Sequence, residues 1–313
     1  IKWSAVAFLA ASLAFIVIDS SRVLAPGYNG WIPGLGSRFW GLAPHANAIG
    51  PMAALVIFLE ILCPARHKCI RLGIFACAAL VLVLAQSKTA IAATAVGIGI
   101  VFYSRVSPQT KDTSPSSFQL HTGHLLLLAA GIAGAAALLV LANLGMIDRL
   151  LNRLDSIGVT SSVQSMSGRT VIWEAALREY GNNPIFGYGP TLWGDEYRRA
   201  IGLNFAYHAH NQILQTMAMA GTTGLIGLSA FLVLTALRAI QTYRATSGVS
   251  IALFTLLGFR VMTEVPLSPV GIANGEMMAI IALICMWPLA GASSQFNQNE
   301  IPSKPCTPLP FRS

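Results

Sequence analysis

The chain has 313 residues, of which 54% are hydrophobic and only 10% are charged. Soluble domains carry roughly 25% charged residues, so this composition excludes an ordinary soluble protein and indicates a chain that crosses a membrane several times. Lysine and arginine together number 20 against 12 acidic residues, which gives a formal charge of +8. In a membrane protein this excess predicts basic cytoplasmic loops rather than a nucleic-acid partner.

Apolar segments that approach the length of a bilayer crossing, about 20 residues, recur along the chain. We predict an all-α fold, a polytopic transmembrane helical bundle of about eight spans with a partly helical periplasmic loop. The predicted spans are 3–19, 46–62, 71–86, 89–104, 122–142, 212–237, 249–265 and 276–292. The third and fourth should form a tight hairpin that turns at residues 86–89, and Gly221 and Gly224 should interrupt the sixth.

Basic residues predict the orientation, because short cytoplasmic loops carry more lysine and arginine than loops on the other side. The loops after the second, fourth and sixth spans contain Arg66, Lys68, Arg71, Arg105, Lys111, Arg238 and Arg244. We therefore place these loops in the cytoplasm and the alternate loops on the outer side of the membrane. Because residue 1 is Ile and the first apolar run begins at once, we also expect further spans before residue 1.

These spans divide the chain into four parts. Residues 1–142 hold the N-terminal transmembrane helices, the first external loop and the hairpin. Residues 143–211 form a large periplasmic loop that carries the site, residues 212–292 the C-terminal transmembrane helices, and residues 293–313 a cytoplasmic tail. None of the five cysteines lies in the large loop, so no disulfide framework is expected there.

The longest segment unsuited to lipid begins at Ser167 and carries Arg, Trp, Tyr, Asn and His. Ser167 could cap a helix that Asn182-Asn183-Pro184 ends, which would place Arg169 in the first turn. A helix N-terminus together with an arginine suits a phosphate or diphosphate, whereas a surface ion pair is the alternative for Arg169. The glycine-rich residues 186–190, which include Tyr188, should let the backbone approach another group closely.

His210 should begin an apolar helix at the predicted boundary between water and lipid. A neutral imidazole there could accept a proton from a hydroxyl nucleophile, and a capping or buried histidine is the alternative. His208 would point to a different face of a helix, which argues against a metal site. Asn211 should orient a neighbour or cap the helix.

Ionisable residues within or beside spans are costly in lipid and usually mark a site. Four of them share the predicted outer level: Arg38, Lys88, Arg260 and Glu264. Several cations at one depth suggest an anionic ligand. The alternatives are an ion pair of Arg260 with Glu264 that holds a helix end, a Lys88 side chain that reaches the headgroups, and a plain loop cation at Arg38.

The order of these motifs resembles the O-antigen ligase family, which also includes O-antigen polymerases and exopolysaccharide polymerisation proteins. The strongest part is 167–228, with Ser167-Gly168-Arg169, Asn183 through Gly189, His210-Asn211 and Gly221 through Leu225. Residues 38–50 are similar to an upstream external-loop pattern, residues 86–90 to a helix hairpin, and residues 260–264 to a later motif.

The resemblance implies a membrane glycosyltransferase of the bacterial inner membrane with a site that faces the periplasm. It implies a donor glycan linked to undecaprenyl diphosphate, an acceptor that is a glycan or lipid A–core, and no metal or other cofactor. His210 matches a catalytic histidine and Arg169 a diphosphate-binding arginine, while Lys88 keeps the charge of the more usual arginine without its bidentate geometry. Arg38, Lys88 and Arg260 would assist Arg169, and the supporting residues would be Asn211, Glu264 and Tyr188.

The sequence leaves ligase and polymerase open, because both use the same donor and differ in acceptor. A transporter or flippase of lipid-linked anionic sugars would also place cations among spans. Against it, the charges lie at one outer level and no repeated pair of broken helices is visible. A structural assembly subunit with a degenerate site is the third alternative.

Overall fold

The computed structural model of the protein describes residues 1–28, 32, 36–106, 163–267 and 275–286, and only the backbone of 163–168 and 275–278. Of the described residues, 71% are helical and few form strands, as the all-α prediction requires. The predicted span 122–142 and the tail 293–313 lie outside the described residues.

In chain order the helices are α1 Lys2–Ile18, α2 Ala46–Leu62, α3 Lys68–Leu84, α4 Lys88–Val106, α5 Val163–Asn182, α6 Asp195–Ala200, α7 Gln212–Gln241, α8 Val249–Thr263 and α9 Gly275–Met286. Between α1 and α2 the strands β1 (Leu24–Pro26) and β2 (Ser37–Phe39) form an antiparallel ribbon. The sequence did not predict this ribbon.

Every predicted span that falls within the described residues coincides with one of these helices. By length and composition, α4 and α7 are the two that could cross a bilayer unaided, while α1, α2 and α8 are apolar but shorter. A helix that crosses 30 Å of hydrocarbon needs about 20 residues, so helices of 15 to 17 residues meet that length only with their flanking residues. The total of about eight spans therefore stays a prediction.

The chain divides into two compact units. The bundle unit comprises Ile1–Pro108, Asn211–Ile213 and Leu225–Ser313, and the loop unit comprises Gln109–His210 and Leu214–Gly224.

Helix α2 forms the centre of the bundle unit because it is apolar on all sides and is buried along most of its length. One face packs Phe58 with residues of α8 such as Leu253, and the opposite face packs Met52 with Leu9 of α1. Gly97 of α4 allows this packing, because a Cβ there would lie 2.4 Å from the Phe58 ring.

The two ends of the bundle unit carry different loops. At one end Lys2 Nζ pairs with the buried Glu60 carboxylate at 3.0 Å, and Arg105 Nη2 donates to the Ile61 carbonyl at 3.4 Å. The first loop, the α3–α4 hairpin and the end of α8 lie at the other end. The basic residues predict the same grouping, with the basic loops at one end and the alternate loops at the other.

In the loop unit, the segment after α5 pairs with the backbone of α7. The amide of Gly189 donates to the Met219 carbonyl at 2.7 Å, and the amide of Thr222 donates to the Pro184 carbonyl at 2.7 Å. The chains approach this closely because Gly187 and Gly221 have positive φ and no side chain; a Cβ on either would lie 2.4 Å from a backbone carbon opposite. The predicted close approach is confirmed, and its partner is another stretch of backbone.

Two predictions about the helices are wrong, one about the start of α5 and one about the interruption of α7. Helix α5 begins at Val163, so Ser167 lies inside the helix and Arg169 lies beyond its first turn. In α7 only Gly221 leaves the helical conformation, at φ 61° and ψ −156°, whereas Gly224 remains helical. The prediction that Asn182-Asn183-Pro184 ends this helix is confirmed, because the last residue of α5 is Asn182.

We predict that Gly221→Ala destabilises the protein by about 1–3 kcal/mol, because its backbone conformation is nearly restricted to glycine. The control is Gly227→Ala in the same helix, where an added Cβ meets no atom within 4 Å. Thermal unfolding of the purified proteins in detergent measures the difference. Equal melting temperatures for the two variants would contradict the packing described for Gly221.

Candidate functional site

A chain of hydrogen bonds connects three elements at one end of the bundle unit. Arg38 of β2 donates from Nε to the Ala85 carbonyl at 2.9 Å and from Nη2 to Asn47 Oδ1 at 2.5 Å. Asn47 in turn donates from Nδ2 to Glu264 Oε1 at 2.6 Å. We call Arg38, Asn47 and Glu264 the polar bridge. It joins the first loop, the start of α2 and the end of α8.

Local structure holds each member of the bridge in place. The ribbon fixes Arg38, whose guanidinium also lies 4.9 Å from the centre of the Tyr28 ring. Asn47 lies in the first turn of α2, and its backbone amide donates to Nδ1 of the capping residue His45 at 3.0 Å. Glu264 is the C-cap of α8, and its backbone amide donates to the Arg260 carbonyl at 2.8 Å.

Arg260 brings a second buried charge to the same end. Arg260 is 3% exposed and Glu264 is 7% exposed. Arg260 Nη1 lies 3.4 Å from the Thr89 hydroxyl, at the start of α4. A charged group in an apolar bundle is stable only when it is hydrogen-bonded or paired, so these contacts fix where both side chains can lie.

Lys88 lies at the tip of the predicted hairpin, which the structure confirms between Leu84 and Lys88. The side chain is exposed, while the preceding Gln86 is buried and donates from Nε2 to the Ser37 carbonyl at 3.1 Å. The structure thus brings Arg38, Lys88, Arg260 and Glu264 to one end of the bundle unit. Exposure of Lys88 agrees with either an anionic ligand or a lipid headgroup as its partner.

The loop unit carries the other predicted site residues. Arg169 lies one helical turn before Trp173, whose Nε1 donates to the Ala209 carbonyl at 2.8 Å. The Ala209 amide donates to Gln215 Oε1 at 2.8 Å, so α5 and α7 both fasten the residue before His210. Tyr188 is exposed, and its amide donates to the Ala218 carbonyl at 3.1 Å.

His210 has φ 49°, a left-handed conformation that is uncommon outside glycine and that often marks functional sites. Its amide donates to His208 Nδ1 at 3.2 Å, and the two ring centres lie 4.0 Å apart. The prediction that the rings point to different faces is wrong, because both residues precede α7 and neither is helical. Two imidazoles at this distance could ligate one ion, so the expected absence of a metal stays a prediction.

Asn211 caps α7 through Oδ1, which accepts from the Ile213 amide at 2.9 Å. Its Nδ2 donates to the Met262 carbonyl at 3.3 Å, and Gln212 Oε1 accepts from the Leu267 amide at 3.0 Å. Both Asn211 and Gln212 are buried. The start of α7 is therefore attached to the end of α8 within the bundle unit.

Sequence reasoning missed the central position of Asn47 and the contact made by Gln212. Each is a polar residue in the first turn of an apolar helix, and that position was the available signal. Arg198 is buried, pairs with Asp195, and lies with its guanidinium 3.9 Å from the centre of the Tyr207 ring.

Comparison with known proteins identifies the family of the chain. A family profile described as O-antigen ligase matches residues 73–232, about half of the chain. The chain belongs to the O-antigen ligase family. It is therefore a membrane protein of the O-antigen ligase and polymerase type, concerned with polysaccharide biosynthesis.

One relative is the "Exopolysaccharide production protein ExoQ" of Rhizobium meliloti (strain 1021), which is 26% identical over 168 residues. The alignment covers 50% of this chain and 35% of the relative, so the chain spans about a third of that protein. The family match includes α4, α5, α6 and most of α3 and α7, with Lys88, Arg169, Tyr188, His210 and Asn211. Arg38, Arg260 and Glu264 lie outside the matched residues.

We predict that Tyr197→Phe destabilises the loop unit by about 1–3 kcal/mol, because the buried Glu179 carboxylate loses the hydroxyl donor that lies 2.9 Å away. Burial, with Glu179 beside the hydroxyl, raises the pKa of Tyr197 from 10.0 to about 12. The stabilisation is therefore complete below about pH 10 and is lost as the pH rises towards 12. Melting temperatures of the wild type and of Tyr197→Phe, measured from pH 8 to 12, test this. An equal fall in melting temperature at alkaline pH in the two proteins would contradict it.

Proposed function

We propose that the protein is a metal-independent glycosyltransferase that moves a glycan from an undecaprenyl-diphosphate carrier to an acceptor hydroxyl. The reaction takes place at the periplasmic face of the bacterial inner membrane. The observation that carries the proposal is the buried Arg260, which lies with Arg38 and the hairpin of Lys88 at the end of the bundle unit opposite the basic loops. A lipid-linked diphosphate is an anion that lies at the membrane surface, and it could therefore reach cations at this end of the bundle unit.

In the proposed reaction the acceptor hydroxyl gives its proton to the neutral imidazole of His210. The acceptor oxygen then forms a bond to the anomeric carbon while the bond from that carbon to the diphosphate oxygen breaks. The electron pair of the broken bond leaves with the lipid diphosphate. Arg169, Lys88 and Arg260 stabilise the charge that develops on it.

Arg38 is better suited to positioning than to direct binding of the diphosphate. Two of its donors are directed to protein acceptors, the Ala85 carbonyl and Asn47 Oδ1. Asn211 would hold the start of α7 through its cap, and Tyr188 offers an exposed ring to a sugar. Within the described residues, Asp195 and Glu196 are adjacent on α6, an arrangement that does not favour a two-carboxylate mechanism.

The acceptor separates two versions of the proposal. The family description names a ligase, and the relative from Rhizobium meliloti is named for exopolysaccharide production. In the ligase version the acceptor is lipid A–core, and in the polymerase version it is a second lipid-linked glycan. An assay with purified protein, lipid-diphosphate-linked oligosaccharide and chelator tests both. A product on lipid A–core supports a ligase, and a ladder of longer lipid-linked glycans supports a polymerase. Movement of the donor across vesicles without a joined product would instead support a transporter.

We predict that His210→Ala lowers the rate of glycan joining by about 10²- to 10⁴-fold, the usual contribution of a general base. The control is His67→Ala, an exposed histidine before α3 at the other end of the bundle unit. The measurement is product formed per amount of folded protein in the same assay. Near-normal activity of His210→Ala would remove His210 from the proposed role.

A further inference from the structure

The polar bridge depends on one side chain that can donate and accept at the same time. Arginine carries only donors and an ionised glutamate carries only acceptors. A side chain that lies between the two must therefore accept a hydrogen bond from the arginine and donate one to the glutamate. Asn47 offers Oδ1 to Arg38 at 2.5 Å and Nδ2 to Glu264 at 2.6 Å. The charges of its two partners therefore fix which way the amide points, and both bonds are of the stronger, charge-assisted kind.

We propose that Asn47 is a positioning residue for the donor diphosphate, acting through Glu264 on Arg260; this rests on the proposed function. Glu264 directly follows the last residue of α8 in an extended conformation, and its backbone amide donates to the Arg260 carbonyl at 2.8 Å. Both residues are buried at this end of the helix, so the position of the Glu264 carboxylate contributes to the electrostatic surroundings of the Arg260 guanidinium. Asn47 fixes that position from a different helix.

The bridge also fixes where the end of α8 lies relative to the hairpin. Arg38 donates to the Ala85 carbonyl at the end of α3, and Arg260 lies beside Thr89 at the start of α4. A shift of Glu264 would therefore move Arg260 relative to Lys88. A displacement of about 1 Å in a positioned group is enough to lower a rate by about a hundredfold.

An exchange of the amide and the carboxylate between the two positions tests the bridge. Asn47→Asp places a carboxylate against the Glu264 carboxylate, which is repulsive in a buried site. Glu264→Gln alone loses the charged acceptor of Asn47. In the double variant, the carboxylate introduced at position 47 accepts from Arg38 and from the amide introduced at position 264. Both hydrogen bonds are then kept, and the net charge of the bridge is unchanged.

We predict that each single variant lowers kcat/KM for the donor by about 10- to 100-fold per folded enzyme, with the KM for the acceptor unchanged. The double variant should recover at least tenfold over Asn47→Asp. The matched control is Asn182→Asp, because the Asn182 amide also lies near a glutamate, Glu179, at 3.5 Å, but on an exposed part of α5. This control should change kcat/KM less than twofold.

Thermal unfolding of the wild type, the two single variants and the double variant provides the second measurement. The two single variants should lower the melting temperature and the double variant should restore it, whether or not the protein joins glycans. A wild-type protein without activity would refute the proposed function, while the thermal cycle would still decide whether Asn47 and Glu264 act as a pair. Additive melting temperatures, or coupled melting temperatures with a normal donor kcat/KM in Asn47→Asp, would overturn the inference.

Discussion

Charged side chains within an apolar bundle must find hydrogen-bond partners, and this constraint shapes the end of the bundle unit that carries the cations. Arg38, Asn47 and Glu264 satisfy one another in sequence, and Ala85 supplies the last acceptor. Because the four residues belong to different elements, the same bonds hold the first loop, α2, the hairpin and α8 together. The geometry of the cationic end and the stability of the bundle therefore depend on the same contacts.

The loop unit depends on a different constraint, the close approach of two stretches of backbone. Gly187 and Gly221 allow the segment that follows α5 to pair with the broken helix α7 through backbone hydrogen bonds. This pairing, together with the Trp173 and Gln215 contacts to Ala209, holds the residues before α7. The left-handed backbone of His210 is a strained state that persists only when its surroundings determine it, and these contacts supply such surroundings.

Hydrophobic length and basic residues were sufficient to predict most helices, the hairpin and the grouping of loops, because these features depend on composition over many residues. The start of α5 was missed because Ser167 can both cap a helix and lie within one. The two histidines were assigned to a helix because α7 begins only two residues later. Asn47 was identified as part of a motif, but its role depends on Glu264, 217 residues away, and no local pattern reveals such a partner.

The proposed function requires that the end of the bundle with the polar bridge faces the periplasm, where the donor is used. Replacement of the five native cysteines and introduction of one new cysteine allow labelling of intact cells with a membrane-impermeant maleimide. Ser21, exposed in the first loop, and Arg66, exposed in a basic loop, are the positions to compare. We expect a cysteine at position 21 to be labelled in intact cells and one at position 66 to be labelled only after the cells are opened. The reverse pattern would place the cations in the cytoplasm and contradict the proposed orientation.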